Sequence, residues 1–287
     1  MKKPIRIFDG SFNMLGEIDD YESLIFIRRF YGVGEFELHI NINKNNVESL
    51  QEDNIIMLAG DTHKLGIIRH REIKLDENGD VSEELLVTGY EVKSLVSRRI
   101  TIPPVGQSQH VVNSNAETIM KTYVDANCIN PVDPNRVIPN LVLATNGNRG
   151  MTYKEYTRLK QLDEEIIKIA TYTGLGWEIY LDLPNKKLVF DVIVPRNLTA
   201  EQTTLPPVIF STDFDNIKGQ HFVDSALGMR NFAYVGGQGE GVDREIVTVG
   251  TATGLNRVET FVDARDMDDG LSLPARGEHG LSASAAR

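Results

Sequence analysis

The stretch 235–266, VGGQGEGVDREIVTVGTATGLNRVETFVDARD, carries more information about the fold than any other part of the chain. Four of its first seven residues are glycines, which accept positive φ and close backbone approach, so the stretch begins with a tight loop. Residues 245–249 and 257–263 alternate apolar and polar side chains and are rich in β-branched residues, which predicts two half-buried strands. Because the connection 251–256 is short, polar and contains Gly254, an antiparallel hairpin is predicted.

The glycine spacing also raises the possibility of a phosphate-binding loop around Gly237, Gly239 and Gly241. A dinucleotide site needs a strand before the glycines, a helix after them and a different spacing. Here a strand follows, so a hairpin or bulge loop is the favoured interpretation.

A second motif occurs early in the chain, at residues 28–38, RRFYGVGEFEL. From Gly34 to Ile40 the residues alternate strictly, which predicts a strand with one apolar face. Phe36, Leu38 and Ile40 are expected on the buried side, and Glu35, Glu37 and His39 on the other.

The two motifs, in this order, resemble those of a family of siphovirus and prophage tail proteins related to the baseplate hub, and the resemblance extends from about Phe8 to about Gly270. It implies an α+β, mainly β fold: two similar β-barrel-like domains with an inserted α+β domain. It also implies subunit contacts at the motif residues. These are Arg28, Phe30, Tyr31, Glu35, Phe36, Gly237, Asp243, Arg244 and Glu245.

The chain divides by pattern into five parts. Residues 1–102 hold many short predicted strands, including 22–30 and 83–96 with a turn at 76–80, and form the first barrel-like domain. Residues 103–112 are a predicted linker, 113–194 the α+β insertion, 195–270 the second barrel-like domain and 271–287 a frayed helix or tail. The resemblance implies further strands beyond this point and leaves open whether the second barrel is complete.

Helical periodicity marks the middle region. A capping box is predicted at Asn113 or Ser114 with Glu117, followed by a helix with Ile119, Met120 and Tyr123 inward. A second helix is predicted over 157–172 with Leu159 inward, acidic residues in its first half and Gly174 as C-cap. Residues 176–181 and 187–194 predict a hairpin.

The last third returns to β, with a first strand predicted at Val208-Ile209-Phe210. A faint similarity connects 18–31 with 214–234, which allows an internal repeat.

Composition limits the class of protein. The 287 residues, 41% hydrophobic and 25% charged, fit two or three globular domains, without an apolar run long enough for a membrane helix or a signal peptide. The single cysteine, Cys128, excludes an intrachain disulfide and a thiolate zinc cluster, and is expected to be buried and inert. A net charge of −11 disfavours nucleic-acid binding but suits a channel through which DNA passes without sticking.

No catalytic, metal-binding or cofactor-binding residues are predicted. The acidic stretch 263–270 does not match a calcium loop, the six histidines lack zinc-protease spacing, and the serines lack a nucleophile elbow. Asp163, Glu164 and Glu165 are adjacent on a helix, whereas glycosidase chemistry needs two carboxylates that face each other.

The resemblance therefore implies a non-enzymatic structural protein of the virion tail tip, made in the host cytoplasm. It implies a homotrimer that adapts the symmetry of the tail tube and surrounds DNA in transit, next to the distal tail or tube protein, the tape measure, and receptor-binding or hydrolase components. The alternatives are a tail-associated cell-wall hydrolase and a carbohydrate-binding tip module. Trp177 is expected in the core, which disfavours the latter.

Overall fold

The computed structural model describes residues 2–75, 81–214, 216–217, 219, 225–265 and 273–285. The chain divides into two compact units, Met1–Ile193 and Val194–Arg287. Strands outnumber helices, so the chain is mainly β, as the sequence predicts. The turn predicted at 76–80 and residues 266–270 of the acidic stretch 263–270 lie outside the described residues.

The first unit begins with a seven-stranded sheet in which neighbouring strands pair antiparallel, in the order β2-β1-β5-β6-β7-β4-β3. Its strands are β1 (Ile5–Phe8), β2 (Met14–Ile18), β3 (Ser23–Phe26), β4 (Glu35–Asn41), β5 (Ile55–Leu58), β6 (Leu65–Leu75) and β7 (Val81–Glu91).

The alternation predicted for β4 is confirmed. Phe36, Leu38 and Ile40 are buried in a core on one face of the sheet, and Glu35 and Glu37 are exposed on the other. The same core contains Ile5 and Ile7 of β1, Ile56 of β5, and Leu85 and Val87 of β7. Because the side-chain period of a strand is two, alternate residues of these strands share this face.

Two strand predictions for this sheet are too long. The strand predicted over 22–30 ends at Phe26, because the backbone groups of Arg29 bond to the side chains of Glu91 and Lys93 and not to a neighbouring strand. The strand predicted over 83–96 ends at Glu91 and continues as a 3₁₀ helix, Val92–Arg98.

The rest of this unit is α+β. It comprises β8 (His110–Asn115), α1 (Ala116–Val124), β9 (Leu141–Leu143), β10 (Thr152–Thr157), α2 (Leu162–Thr173), β11 (Gly176–Asp182) and β12 (Lys187–Ile193). β8 and β10 form an antiparallel ribbon. β12 lies between β11 and β9, antiparallel to the former, as in the predicted hairpin, and parallel to the latter.

One hydrophobic core joins the seven-stranded sheet to this α+β part. Phe8, Met57 and Ile67 of the sheet belong to the same buried cluster as Tyr123 of α1 and Trp177 of β11. The chain from 103 to 109 has no regular structure, and β8 begins directly after it.

The capping box predicted for α1 is wrong. The N-cap is Asn115, whose side chain accepts the amide of Thr118 at 2.9 Å, while Asn113 and Ser114 pair with β10. Glu117 binds a distant loop instead. The buried positions predicted for this helix, Ile119, Met120 and Tyr123, are confirmed.

The second helix begins later than predicted. Residue 157 ends β10, and Leu159, predicted to face inward, precedes α2 with a φ of 51° and is largely exposed. The predicted C-cap is confirmed, since Gly174 has a φ of 72° and follows the last residue of α2.

The second unit contains a three-stranded sheet, β14 (Ile246–Val249), β13 (Phe232–Gly236) and β15 (Glu259–Asp263), and helix α3 (Leu273–Ala285). The predicted hairpin between β14 and β15 is wrong. Both pair with β13, β14 antiparallel and β15 parallel. The connection between them, with Gly250 at a φ of 114° and a 3₁₀ turn at Gly254–Asn256, crosses over and does not fold back.

The predicted tail is a helix packed on this sheet. A Cβ on Gly277 would lie 2.6 Å from Val249 and 2.7 Å from Val235, and one on Gly280 would lie 2.8 Å from Val262. These two glycines therefore let α3 approach the sheet closely. The strand predicted at Val208-Ile209-Phe210 is not formed; these residues are irregular and exposed.

Candidate interaction surfaces

The first motif forms the loop between β3 and β4. Its conformation is fixed by a buried carboxylate, Glu91, which accepts the amide of Gly34 at 2.7 Å and that of Arg29 at 3.4 Å. Glu91 also accepts Arg28 Nε at 3.4 Å. Four backbone and side-chain groups, including the ammonium of Lys93 at 3.5 Å, thus meet at one carboxylate.

Lys93 is buried next to Glu91 and connects the loop to β11. Its ammonium donates to the carbonyl of Arg29 and to that of Trp177, and lies 4.8 Å from the centre of the Trp177 ring. Burial lowers the pKa of Lys93, and the nearby Glu91 opposes that shift. The pair therefore holds the motif loop against the α+β part of the same unit.

The aromatic residues of the motif complete this junction. Trp177 donates from Nε1 to the carbonyl of Tyr31 at 2.5 Å. Phe30 packs over Gly176, where a Cβ would lie 2.4 Å from its ring, and meets Tyr31 edge to face with ring centres 5.1 Å apart. Gly176 is thus the residue that makes room for Phe30.

The predicted contact residues of this motif differ in exposure. Phe36 is 2% exposed and stacks on Phe26 in the core. Glu35 is half exposed and pairs with Arg29 at 3.0 Å, and Arg28 also pairs with Glu178 at 3.3 Å. The structure therefore brings Arg28, Phe30 and Tyr31 together at an intrachain junction and leaves Glu35 on the surface.

A shallow groove runs along the outer face of the sheet beside this loop. Three of its residues are large, apolar and well exposed: Ile25, Ile27 and Tyr90. Its polar residues include Glu35 and Glu37 from β4 and Arg69 and His70 from β6.

The second motif is organised around Arg244. Its guanidinium donates to the carbonyls of Gly236 and Gly237 at 3.0 and 3.1 Å, pairs with Asp263 at 2.8 Å and lies 5.2 Å from the centre of the Phe261 ring.

A Cβ on Gly236 would lie 2.7 Å from that guanidinium, so the glycine gives Arg244 its place. Glu245 closes the loop by exchanging backbone bonds with Gly237 and Gln238, and Asp243 is exposed in the 3₁₀ turn Gly241–Asp243. The loop predicted from the glycines is confirmed, and its connection to a 3₁₀ turn and a strand excludes a dinucleotide fingerprint.

The face of the second sheet opposite α3 carries exposed aromatic and basic side chains. Tyr234 and Phe261 are partly exposed there. The guanidinium carbon of Arg257 lies 3.4 Å from the centre of the Phe232 ring, and the same guanidinium donates to the Tyr234 hydroxyl at 2.8 Å. Asp263, which pairs with Arg265 and Arg244, has its pKa lowered by both, by Arg265 more strongly.

Helix α1 carries a buried ionic network that was not predicted from the sequence. Glu117, which is fully buried, accepts the amides of Gly147 and Arg149 at 3.0 and 2.8 Å and the ammonium of Lys121 at 2.7 Å. Lys121 also pairs with Asp191 at 3.0 Å. Only the i, i+4 spacing of Glu117 and Lys121 on one helix signals this network in the sequence.

Two of the acidic residues considered for chemistry, Asp163 and Glu165, have structural partners. Asp163 accepts the Ser97 hydroxyl at 2.6 Å, and Glu165 pairs with Lys168 at 2.8 Å. Cys128 is fully buried, which raises the pKa of its thiol to about 12, and Trp177 is 1% exposed. Within the described ranges, no cluster of histidine, cysteine and acidic side chains is arranged to hold a metal ion.

The described helices include none with the length and apolarity needed to cross a membrane.

Comparison with known structures identifies the fold. The chain is similar in structure to the 43 kDa tail protein of prophage MuSo2 from Shewanella oneidensis, with a TM-score of 0.55 and 12% identity. The match covers 97% of this chain and 79% of the MuSo2 protein. It is also similar to a tail protein from Neisseria meningitidis MC58 (TM-score 0.53, 16% identity, 96% of this chain and 75% of that one).

A third similar structure is prophage tail protein gp18 from Listeria monocytogenes EGD-e (TM-score 0.52, 11% identity, 95% of this chain and 76% of that one). No curated protein sequence matches the chain. At these identities the structures establish the fold alone.

The sequence itself matches a family model over residues 4–287. The match includes both motif loops and the α+β part between them. The chain therefore belongs to the Siphovirus ReqiPepy6 Gp37-like protein family, a family of phage tail proteins.

Proposed function

We propose that this protein is a non-enzymatic structural component of the tail tip, a baseplate hub that assembles as a homotrimer. The observation that carries the proposal is the coincidence of the family match over residues 4–287 with a tail-protein fold over at least 95% of the chain. The protein would act in the virion tail, after synthesis in the bacterial cytoplasm.

In this proposal, residues 1–102 and 195–270 are the two related barrel-like domains, joined through the linker 103–112 and the insertion 113–194, with 271–287 at the end. A trimer would then present six similar faces to the tail tube. The junction around Glu91 supports one part of this assignment, because it fixes the insertion to the first domain.

The contacts between subunits would involve the exposed residues at the two motifs. Glu35 and Tyr31 at the first and Asp243 and Glu245 at the second remain on the surface in the described structure. Arg28 and Phe30 are also partly exposed, whereas Phe36, Gly237 and Arg244 would act by shaping these surfaces from within the subunit.

The assembled ring would surround the DNA in transit. A net charge of −11 supports this role, because acidic walls repel phosphates and keep the passage free of binding. The neighbours would be the distal tail or tube protein, the tape measure, and receptor-binding or hydrolase components.

The oligomeric state tests the proposal directly. We expect light scattering at micromolar concentration to give the mass of a trimer, and negative-stain images to show a ring with an open axis. A strictly monomeric protein that forms no ring would contradict the proposal.

A charge reversal tests the surface. Glu35→Lys with Glu37→Lys changes two half-exposed side chains opposite the core face of β4, so the fold should be retained while assembly or DNA passage is impaired. Glu48→Lys with Glu52→Lys is the matched control, since both residues are exposed outside the motif. Equal phage assembly in the two variants would count against the assignment of this surface.

The absence of enzymatic activity has its own test. Purified protein on peptidoglycan zymograms should leave no cleared zone. A zone that a single acidic substitution abolishes would favour the hydrolase alternative.

A further inference from the structure

Segment 205–210 of the second unit has the composition of a strand but belongs to no sheet in the described part of the chain. Its Val208 amide donates to the carbonyl of Leu198 at 2.9 Å and its Ile209 carbonyl accepts from the Asn216 side chain at 2.8 Å, and strand addition would exchange such local bonds for those of a sheet. We propose that it adds to the seven-stranded sheet of a second copy, beside β3. This inference rests on the proposed self-assembly and names the contact that produces it.

The donor segment combines strand-forming residues with exposure. Val208, Ile209 and Phe210 are 49%, 53% and 71% exposed, although β-branched and aromatic residues favour a half-buried strand. Pro206 and Pro207 precede them and favour an extended backbone. Three consecutive exposed apolar residues that follow two prolines form the kind of segment that adds to a sheet edge.

The acceptor, β3, is the last strand in the order of its sheet and pairs with β4 alone among the described strands. Its core-facing residues, Leu24 and Phe26, are only partly buried against the core, and Ile25 on its other face is 55% exposed. A strand added here would pair with the edge of β3 and place its side chains beside those of β3 on both faces of the sheet.

Side-chain alternation fits the two segments together. With Ile209 beside Ile25 on the outer face, Val208 and Phe210 lie on the core side, next to Leu24 and Phe26. The added strand would then bury the open rim of the core and extend the groove formed by Ile27 and Tyr90.

Charge favours a parallel orientation. β3 is preceded by Asp19, Asp20 and Glu22 and followed by Arg28 and Arg29, of which the latter is half exposed. The donor segment is followed by Asp213. A parallel addition brings Asp213 toward the arginines, whereas an antiparallel addition brings it toward the acidic residues.

A second copy is the partner that this arrangement favours. Donor and acceptor lie in different compact units of the same chain, so each copy offers one of each. Contacts between unlike surfaces run head to tail and close into a ring when the rotation permits. A closed ring of three such contacts is the trimer proposed above.

Cross-linking between two variants tests the contact. Ile25→Cys and a size-tagged Ile209→Cys are co-expressed, and the purified assembly is treated with a short bis-maleimide. The native Cys128 is fully buried, so wild-type protein gives the background. Ile73→Cys and Val132→Cys, at exposed apolar positions outside both motifs and away from the proposed contact, are the matched controls.

We expect a cross-linked heterodimer from the Ile25→Cys and Ile209→Cys mixture and none from the control mixture. If light scattering shows a trimer but no heterodimer forms, the inference is overturned and the proposed function stands. If the doubly substituted chain instead cross-links within a monomer, the segment serves its own chain, which also overturns the inference. A protein that is monomeric throughout contradicts both.

A second measurement needs no cross-linker. Ile209→Asp should weaken self-association about tenfold or more, the scale on which loss of one buried isoleucine shifts an equilibrium. Val132→Asp introduces the same charge at a well-exposed position outside both motifs and should leave self-association unchanged. Equal self-association of the two variants would overturn the inference.

Discussion

Replacing Glu91 by glutamine should destabilise the first unit strongly, because it leaves the ammonium of Lys93 buried without its carboxylate. Both side chains are more than nine-tenths buried and lie 3.5 Å apart. Breaking a buried ion pair by removing one partner costs about 3–5 kcal/mol. Lys93 can instead become neutral. For a lysine with the ordinary pKa, releasing the proton at pH 7 costs about 5 kcal/mol, so the loss of stability in the variant should not exceed this value.

The assay uses the single tryptophan of the chain, Trp177, which contacts Lys93 and donates to the carbonyl of Tyr31. Its fluorescence during urea unfolding reports the first unit directly. The matched control is the double variant Glu91→Gln with Lys93→Met, in which no buried charge remains. We expect it to recover at least half of the lost stability, because removing both partners costs much less than removing one.

The pH dependence of this variant provides an independent check. Burial lowers the pKa of Lys93 in the folded protein, so the unfolded chain binds the proton more tightly. Stability therefore rises with pH up to about 10.5, and more steeply in Glu91→Gln than in wild type. A loss below about 1 kcal/mol, or a double variant no more stable than the single one, would refute the reasoning.

Three further predictions concern other parts of the molecule. Gly176→Val should displace Phe30, because a Cβ at Gly176 lies 2.4 Å from its ring, and should cost about 1–3 kcal/mol in the same unfolding assay. Gly10→Val, with nothing within 4 Å of its Cβ and no positive φ, is the control and should cost clearly less. Burial lowers the pKa of His110 below 6.5, so the stability contributed by the neutral imidazole is complete above about pH 6.5 and is lost as the pH falls through the folded pKa. His110→Phe should therefore flatten the acid side of the stability curve in thermal unfolding, and an unchanged slope would exclude His110 as its source. Gly277→Val should loosen α3 and speed its proteolysis, because a Cβ at Gly277 would clash with Val235 and Val249. The control Glu278→Val, on the exposed side of the helix, should leave the cleavage rate unchanged, and equal rates in the two variants would contradict the close packing of α3.

Local patterns predicted well those elements whose partners are close in sequence. The alternation of β4, the hairpin of β11 and β12, and the C-cap at Gly174 each depend on a few neighbouring residues. The family resemblance added the overall assignment, which the match over residues 4–287 confirms.

The failures share a physical cause, which is that backbone groups bond to distant partners. The sequence does not show that β13 separates β14 from β15, because a parallel pair needs a crossover that leaves little local signal. Glu117 likewise looks like half of a capping box, but its partners are amides about thirty residues away. The role of the first motif was also hidden, since Glu91, Lys93 and Trp177 carry no motif of their own.

The Glu117 clamp has a consequence for hydrogen exchange. Segment 144–151 is irregular, and exchange in such a loop is ordinarily fast. Yet the amides of Gly147 and Arg149 are bound to a fully buried carboxylate, and the carbonyls of Ala144 and Thr145 accept from Lys121 on the same helix. These amides can exchange only when the anchor opens, so this loop should exchange together with helix α1 as one cooperative unit, slowly and at the same rate.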